Sequence, residues 1–168
     1  MFLILGSSGY VGAKIFHFLT RNESEVLGIS RSEIDYTNPK VLKEFLRSKK
    51  PRFLINAAGY TGKPNVDACE LAKADCLDGN SVLPGTIRQV CEELKITWGH
   101  ISSGCIFSGR RSDGGGWTED DSPNFSFRSP PCSFYSGTKA LGEEVLEGAE
   151  NCYISVSYTH LTLPTNGC

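Results

Sequence analysis

FLILGSSGYVG, residues 2–12, runs four apolar residues into a turn with glycine at every third position, Gly6, Gly9 and Gly12. An all-apolar run closed by glycine is the pattern of a strand covered on both faces in a parallel sheet. VGAKIFHFLTRN follows with Val11, Ile15, Phe18 and Leu19 at helical spacing, and then comes EVLGIS, a second apolar strand. Strand, glycine turn, helix and strand make a βαβ unit, which requires parallel neighbours and a right-handed crossover.

The alternation continues. PKVLKEFLRSKK (39–50) places Pro39 in a first helical turn and Val41, Leu42, Phe45 and Leu46 on one face, and RFLINAA (52–58) reads as a third strand. A long helix is expected over 68–94, a strand at ITWGHISS (96–103), a polar loop over 110–131 and a last helix over 135–147. The fold class is α/β, a Rossmann-type doubly wound parallel sheet. The 168 residues are one domain's worth of chain.

Composition excludes several functions. Seventeen Lys and Arg face 19 Asp and Glu, and the basic runs are pairs such as Lys49-Lys50 and Arg110-Arg111, which argues against nucleic acid as a partner. The seven cysteines are odd in number, irregularly spaced and free of CxxC pairs, so neither a disulfide framework nor a metal site is expected. A reducing cytoplasm suits them. No apolar run approaches the roughly 18–20 residues that span a bilayer, so no membrane association is expected.

The first turn has the spacing GxxGxxG where the dinucleotide fingerprint has GxGxxG, yet the physics is shared. Glycine allows a tight turn and close backbone approach to a pyrophosphate, and the helix that begins at Tyr10 and Val11 offers free N–H groups and a positive dipole end. After the second strand, Ser30 and Arg31 stand where an adenosine ribose is read, with no acid directly at the strand end, which favours NADP(H) over NAD(H). Asp35 and Tyr36 are candidates for the adenine pocket, or a plain approach to the next helix.

GSSGYVG, NAAG (Asn56 to Gly59), Ser103 at a strand end and YSGTK with Tyr135 and Lys139 together resemble the extended short-chain dehydrogenase/reductase family of sugar-nucleotide enzymes. Tyr135 and Lys139 are one helical turn apart and share a face, so an ammonium would stand beside a phenol and lower its pKa. The resemblance implies Tyr135 as general acid or base, Lys139 as holder of the nicotinamide ribose, and Ser103, with Ser102 as runner-up, as hydrogen-bond partner of the reacting oxygen. It further implies that Asn56, Ala57, Ala58 and Gly59 form a cofactor floor, with Asn80 either close by or bonding within a helix kink.

NAAGYTGKPNVDACE, GCIF and EDDSPNFSFRSPPCSFYSGTKALGEE resemble, within that family, the 3,5-epimerase/4-reductases of rhamnose-nucleotide synthesis, and more distantly the dTDP-4-dehydrorhamnose reductases and GDP-fucose synthases. That implies a nucleotide-sugar substrate, a homodimer for the complete protein, and Cys105 as the acid or base beside the keto carbon; the alternative is an inert thiol on a buried strand. Gly104 stands where the dehydratases add an acid, which disfavours them. A noncatalytic NADP-binding regulator and a sugar-nucleotide 4-epimerase are the competing functions.

Residues 156–168 are set apart. VSYTHLTLPT is what the codons GTC TCT TAT ACA CAT CTG ACG CTG CCG ACG would encode, and that string resembles the end of a transposase adapter used in sequencing libraries. The expectation is a nucleotide-binding domain over 1–155, truncated before its substrate domain and inactive alone, followed by a non-native tail without stable packing. His160 lies in that tail and is assigned nothing.

Overall fold

The computed structural model describes residues 1–22 and 24–157. Five strands, β1 (Phe2–Leu5), β2 (Val26–Ile29), β3 (Phe53–Asn56), β4 (Trp98–Ser103) and β5 (Cys152–Ser157), form one parallel sheet in the order β2-β1-β3-β4-β5. The helices are α1 (Tyr10–Arg21), α2 (Pro39–Lys49), α3 (Lys73–Leu77), α4 (Leu83–Leu94) and α5 (Phe134–Glu144). The chain reverses direction across the sheet beside β1, so the carboxyl ends of β1 and β3 open the crevice where such sheets bind ligands.

Right-handed crossovers put α1 on one face and α2, α4 and α5 on the other. Under the second group lies the core, in which Leu3, Leu5, Leu54 and Trp98 of the strands meet Leu42, Leu46, Ile87 and Val90 of α2 and α4. The opposite face carries a row of rings, Phe2, Phe53 and Tyr153, with centroids 6.2 and 6.3 Å apart. It is more open, since Tyr153 is 65% exposed.

The expected helix over 68–94 is broken. A 3-10 turn (Val66–Glu70) and α3 lead into a π turn (Asp78–Val82) before α4 begins. Pro84 explains the break: it has no N–H for the Asn80 carbonyl four residues back, and its ring would crowd that oxygen in an α-helical ladder. Gly79 is needed at the same place, because a β-carbon there would stand 2.9 Å from the Tyr60 β-carbon.

Val156 and Ser157, expected to begin an unpacked tail, instead complete β5, paired with Ser102 and Ser103. A ladder is built from backbone groups, and valine suits an extended chain. Residues 158–168, with His160, lie outside the described residues.

Candidate active site

The β1–α1 turn is pressed onto the end of β3. Gly6 has φ +77°, and a β-carbon on it would come within 2.7 Å of the Ala58 backbone. The Gly9 N–H donates to the Gly6 carbonyl at 3.0 Å, and a β-carbon at Gly12 would collide with that same oxygen. Gly9 caps α1 without a side chain, so no side chain satisfies the N–H donors of the first turn, Tyr10, Val11 and Gly12. A close backbone cradle below an uncapped helix start fits a dinucleotide pyrophosphate.

Ala57, Ala58 and Gly59 continue β3 beneath this turn. Asn56 is fully buried and structural: its Oδ1 accepts the Ala58 N–H at 3.1 Å, which leaves Nδ2 to donate to His100 Nδ1 at 2.9 Å. The proton of His100 is therefore on Nε2. Burial first, and the Lys139 charge second, push His100 down to about 3, so the ring is neutral.

At the end of β2 the structure adds a residue that strand-end reasoning missed. The Glu33 carboxylate folds back to accept from the Ser30 N–H at 2.7 Å and the Ser30 hydroxyl at 2.6 Å, so an acid does reach this end. Arg31 is exposed beside it. Asp35 spends its carboxylate on the Thr37 N–H and hydroxyl, and Tyr36 is 3% exposed within the core, so both shape the approach to α2.

The third side of the crevice is α5. Ser133 caps it by accepting the Ser136 N–H at 3.1 Å, and Glu70 accepts the Phe134 N–H at 2.7 Å, which ties its first turn to the 3-10 turn. Arg128 grips the Glu144 carboxylate through two nitrogens at the other end. Gly142 lets α5 approach the π turn, where a β-carbon would collide with the Asn80 carbonyl. Thr138, unremarked in the YSGTK motif, bridges this contact: its hydroxyl donates to the Tyr135 carbonyl at 2.8 Å and accepts from Asn80 Nδ2 at 3.2 Å.

Tyr135 is thereby buried among Cys69, Cys76 and Cys105. Burial raises its phenol above the usual tyrosine value and the Ser103 hydroxyl beside it works in the opposite direction. This differs from the expected lowering by Lys139: the influence that lowers the phenol is the Ser103 hydroxyl, and desolvation outweighs it. Of the two serines Ser103 is the one at the phenol; Ser102 is 3% exposed and turned into the α5 interface. Ser103 also accepts the Cys105 N–H at 3.3 Å, capping the short 3-10 turn (Gly104–Ile106) that presents the half-buried thiol. Lys139 donates to the Ile101 carbonyl at 3.4 Å, and burial lowers it to about 8. Gly59 lies against its ammonium.

Comparison with known proteins shows the family and the fold. The family model described as RmlD substrate binding domain matches residues 1–157. The chain belongs to the RmlD substrate binding domain family. Among RmlD-type relatives, a bifunctional dTDP-4-dehydrorhamnose 3,5-epimerase/dTDP-4-dehydrorhamnose reductase of Arabidopsis thaliana is 34% identical over 173 residues, covering 98% of this chain and 55% of the relative. The crystal structure of a dTDP-4-dehydrorhamnose reductase of Clostridium acetobutylicum superposes with TM-score 0.78 at 27% identity, over 92% of this chain and 52% of that one. A UDP-rhamnose synthase of Acanthamoeba polyphaga mimivirus shares the fold, with TM-score 0.79 at 23% identity, over 92% of this chain and 54% of that one. This RmlD-type chain spans about half the length of these relatives. Among the described residues no helix is long and apolar enough to cross a membrane, and no cluster of His, Cys, Asp and Glu could hold a metal ion.

Proposed function

We propose that the chain is the cofactor-binding and catalytic half of an NADP(H)-dependent reductase acting on a 4-keto-6-deoxyhexose nucleotide, with 3,5-epimerase activity. The observation that carries this reading is the convergence of Ser103 and Cys105 on the Tyr135 phenol, beside Lys139 and the glycine cradle.

A bound nicotinamide supplies the hydride to the carbonyl carbon. Tyr135 delivers the proton to the carbonyl oxygen and completes the alcohol, while the Ser103 hydroxyl donates a hydrogen bond to that oxygen and orients it. Lys139 holds the ribose hydroxyls, while the Ser103 hydroxyl acts against the desolvation that raises the phenol. Cys105 moves the proton on the carbon next to the ketone before reduction. Tyr10, Val11 and Gly12 hold the pyrophosphate through their N–H groups, above Gly6, Gly9, Ala57, Ala58 and Gly59. Arg31 supplies the cation for a ribose 2′-phosphate, with NAD(H) the weaker ligand.

The same reading places the protein in a reducing cytosol, where its free cysteines suit it, and takes the complete protein to be a homodimer. It also takes residues 156–168 as adapter-derived, which the genomic reading frame beyond Ser155 tests directly.

The decisive experiment is Tyr135→Phe in the complete protein, assayed with NADPH and a dTDP- or UDP-4-keto sugar. Turnover should fall by about 10²-fold or more while NADPH affinity is kept. Turnover equal to that of the parent would overturn the mechanism, and absent turnover in the parent would favour a noncatalytic NADP-binding regulator.

A further inference from the structure

Four buried side-chain polar atoms among the described residues have no hydrogen-bond partner: Trp98 Nε1, His100 Nε2, Ser102 Oγ and Glu143 Oε1. Their placement is not scattered. Trp98, His100 and Ser102 alternate along β4 and so share one face, the face that α5 covers. Glu143 is on α5 one turn beyond Lys139, and that spacing puts both side chains on the same side of the helix.

An orphaned carboxylate oxygen in such an interface is costly and calls for a compensating neighbour. Two are present. Burial raises the Glu143 carboxyl, and the Ser102 hydroxyl and then the Lys139 ammonium act against that rise.

We propose that Glu143 is the internal counter-charge that keeps the Lys139 ammonium protonated, making Glu143 a positioning residue for the site. The role of Lys139 as ribose holder rests on the function proposed above; the pairing with Glu143 does not. Lys139 is 6% exposed, and burial lowers it to about 8. Glu143 is the largest opposing influence, ahead of Cys76 on α3 and Cys105 beyond β4. The other titratable neighbours add no countercharge at neutral pH: His100 on β4 is neutral, lowered to about 3, and burial raises the Tyr135 phenol on α5. Glu143, one turn along α5, is therefore the carboxylate that acts on Lys139, and its loss should reach the active site through the charge state of the lysine.

The test reads Lys139 directly. In the chain labelled with 13C-lysine, the Lys139 side-chain signal is assigned by its disappearance in Lys139→Arg and followed by NMR against pH. A midpoint near 8 in the parent should fall by about one unit or more in Glu143→Gln and return in Glu143→Asp. Glu143→Leu, which removes the orphan oxygen with the charge, serves if the glutamine variant does not fold. An unchanged Lys139 midpoint in whichever Glu143 variant folds overturns the proposal. NADPH binding to the complete protein is measured separately, so failure to bind counts against the cofactor reading, while the Lys139 midpoint still judges the pairing.

Discussion

Asn80 clasps both backbone groups of Tyr60: its Nδ2 donates to the Tyr60 carbonyl at 2.9 Å and its Oδ1 accepts the Tyr60 N–H at 2.9 Å. The π turn makes this reach possible, and the clasp holds the segment after β3 against the helix that carries Asn80. Asn80 lies in the helix break, but these bonds reach out of the helix to Tyr60, twenty residues away. Asn80→Ala leaves two backbone groups of Tyr60 without partners and should cost about 2–3 kcal/mol, seen as a lower urea midpoint with an unchanged m-value.

His100 makes the fold acid-sensitive. Its folded pKa is lowered to about 3 from the ordinary 6.5, so between these values the unfolded chain binds a proton that the folded chain refuses. Stability from this group is fully present above 6.5 and is lost as pH falls toward 3, by up to about 1.4 kcal/mol per pH unit. Unfolding free energies measured across this range should slope steeply in the parent and clearly less in His100→Gln. Equal slopes would remove His100 as the cause.

Lys139 acts at the other end of the scale. Lowered to about 8 from 10.5, it costs stability while charged, and that cost is relieved as pH rises from 8 to 10.5. Lys139→Met should raise the melting temperature at pH 7 relative to the parent while abolishing any NADPH binding. A lower melting temperature would show that the buried ammonium is fully compensated.

The two glycines at the start of α1 should behave differently. A β-carbon at Gly12 collides with the Gly6 carbonyl, whereas one at Gly9 stands 3.3 Å from it. Gly12→Ala must push α1 off the sheet and should cost several kcal/mol, while Gly9→Ala should cost about 1 kcal/mol or less. Thermal unfolding of the two variants side by side distinguishes them, and similar losses would mean that the turn relaxes freely.

Cys105 separates epimerisation from reduction. In the complete protein, Cys105→Ser should abolish solvent deuterium exchange into a 4-keto-6-deoxy sugar nucleotide, since an alcohol is a far weaker acid than a thiol. Reduction of an already epimerised 4-keto sugar should persist in that variant and drop about 10-fold or more in Ser103→Ala. Full exchange in Cys105→Ser would leave a simple 4-reductase.

Local order carried the reading of the fold. The apolar run Phe2–Leu5 and the glycines after it, the apolar face of α2 with Pro39 at its start, and the shared face of Tyr135 and Lys139 all depend on neighbours within about four residues, and all appear where periodicity puts them. What periodicity does not contain is contact between distant segments. Ser102 and Ser103 carry the same side chain on opposite faces of β4, and only the packing of α5 on β4 decides which of them meets the phenol. Asn80 meets Tyr60 because Pro84 opens the ladder and Gly142 admits α5, residues far apart in the chain but adjacent in space. The direction of the Tyr135 shift was likewise inaccessible from spacing, because it follows from how much water the assembled helices exclude, a property of the packed interior and not of any one stretch.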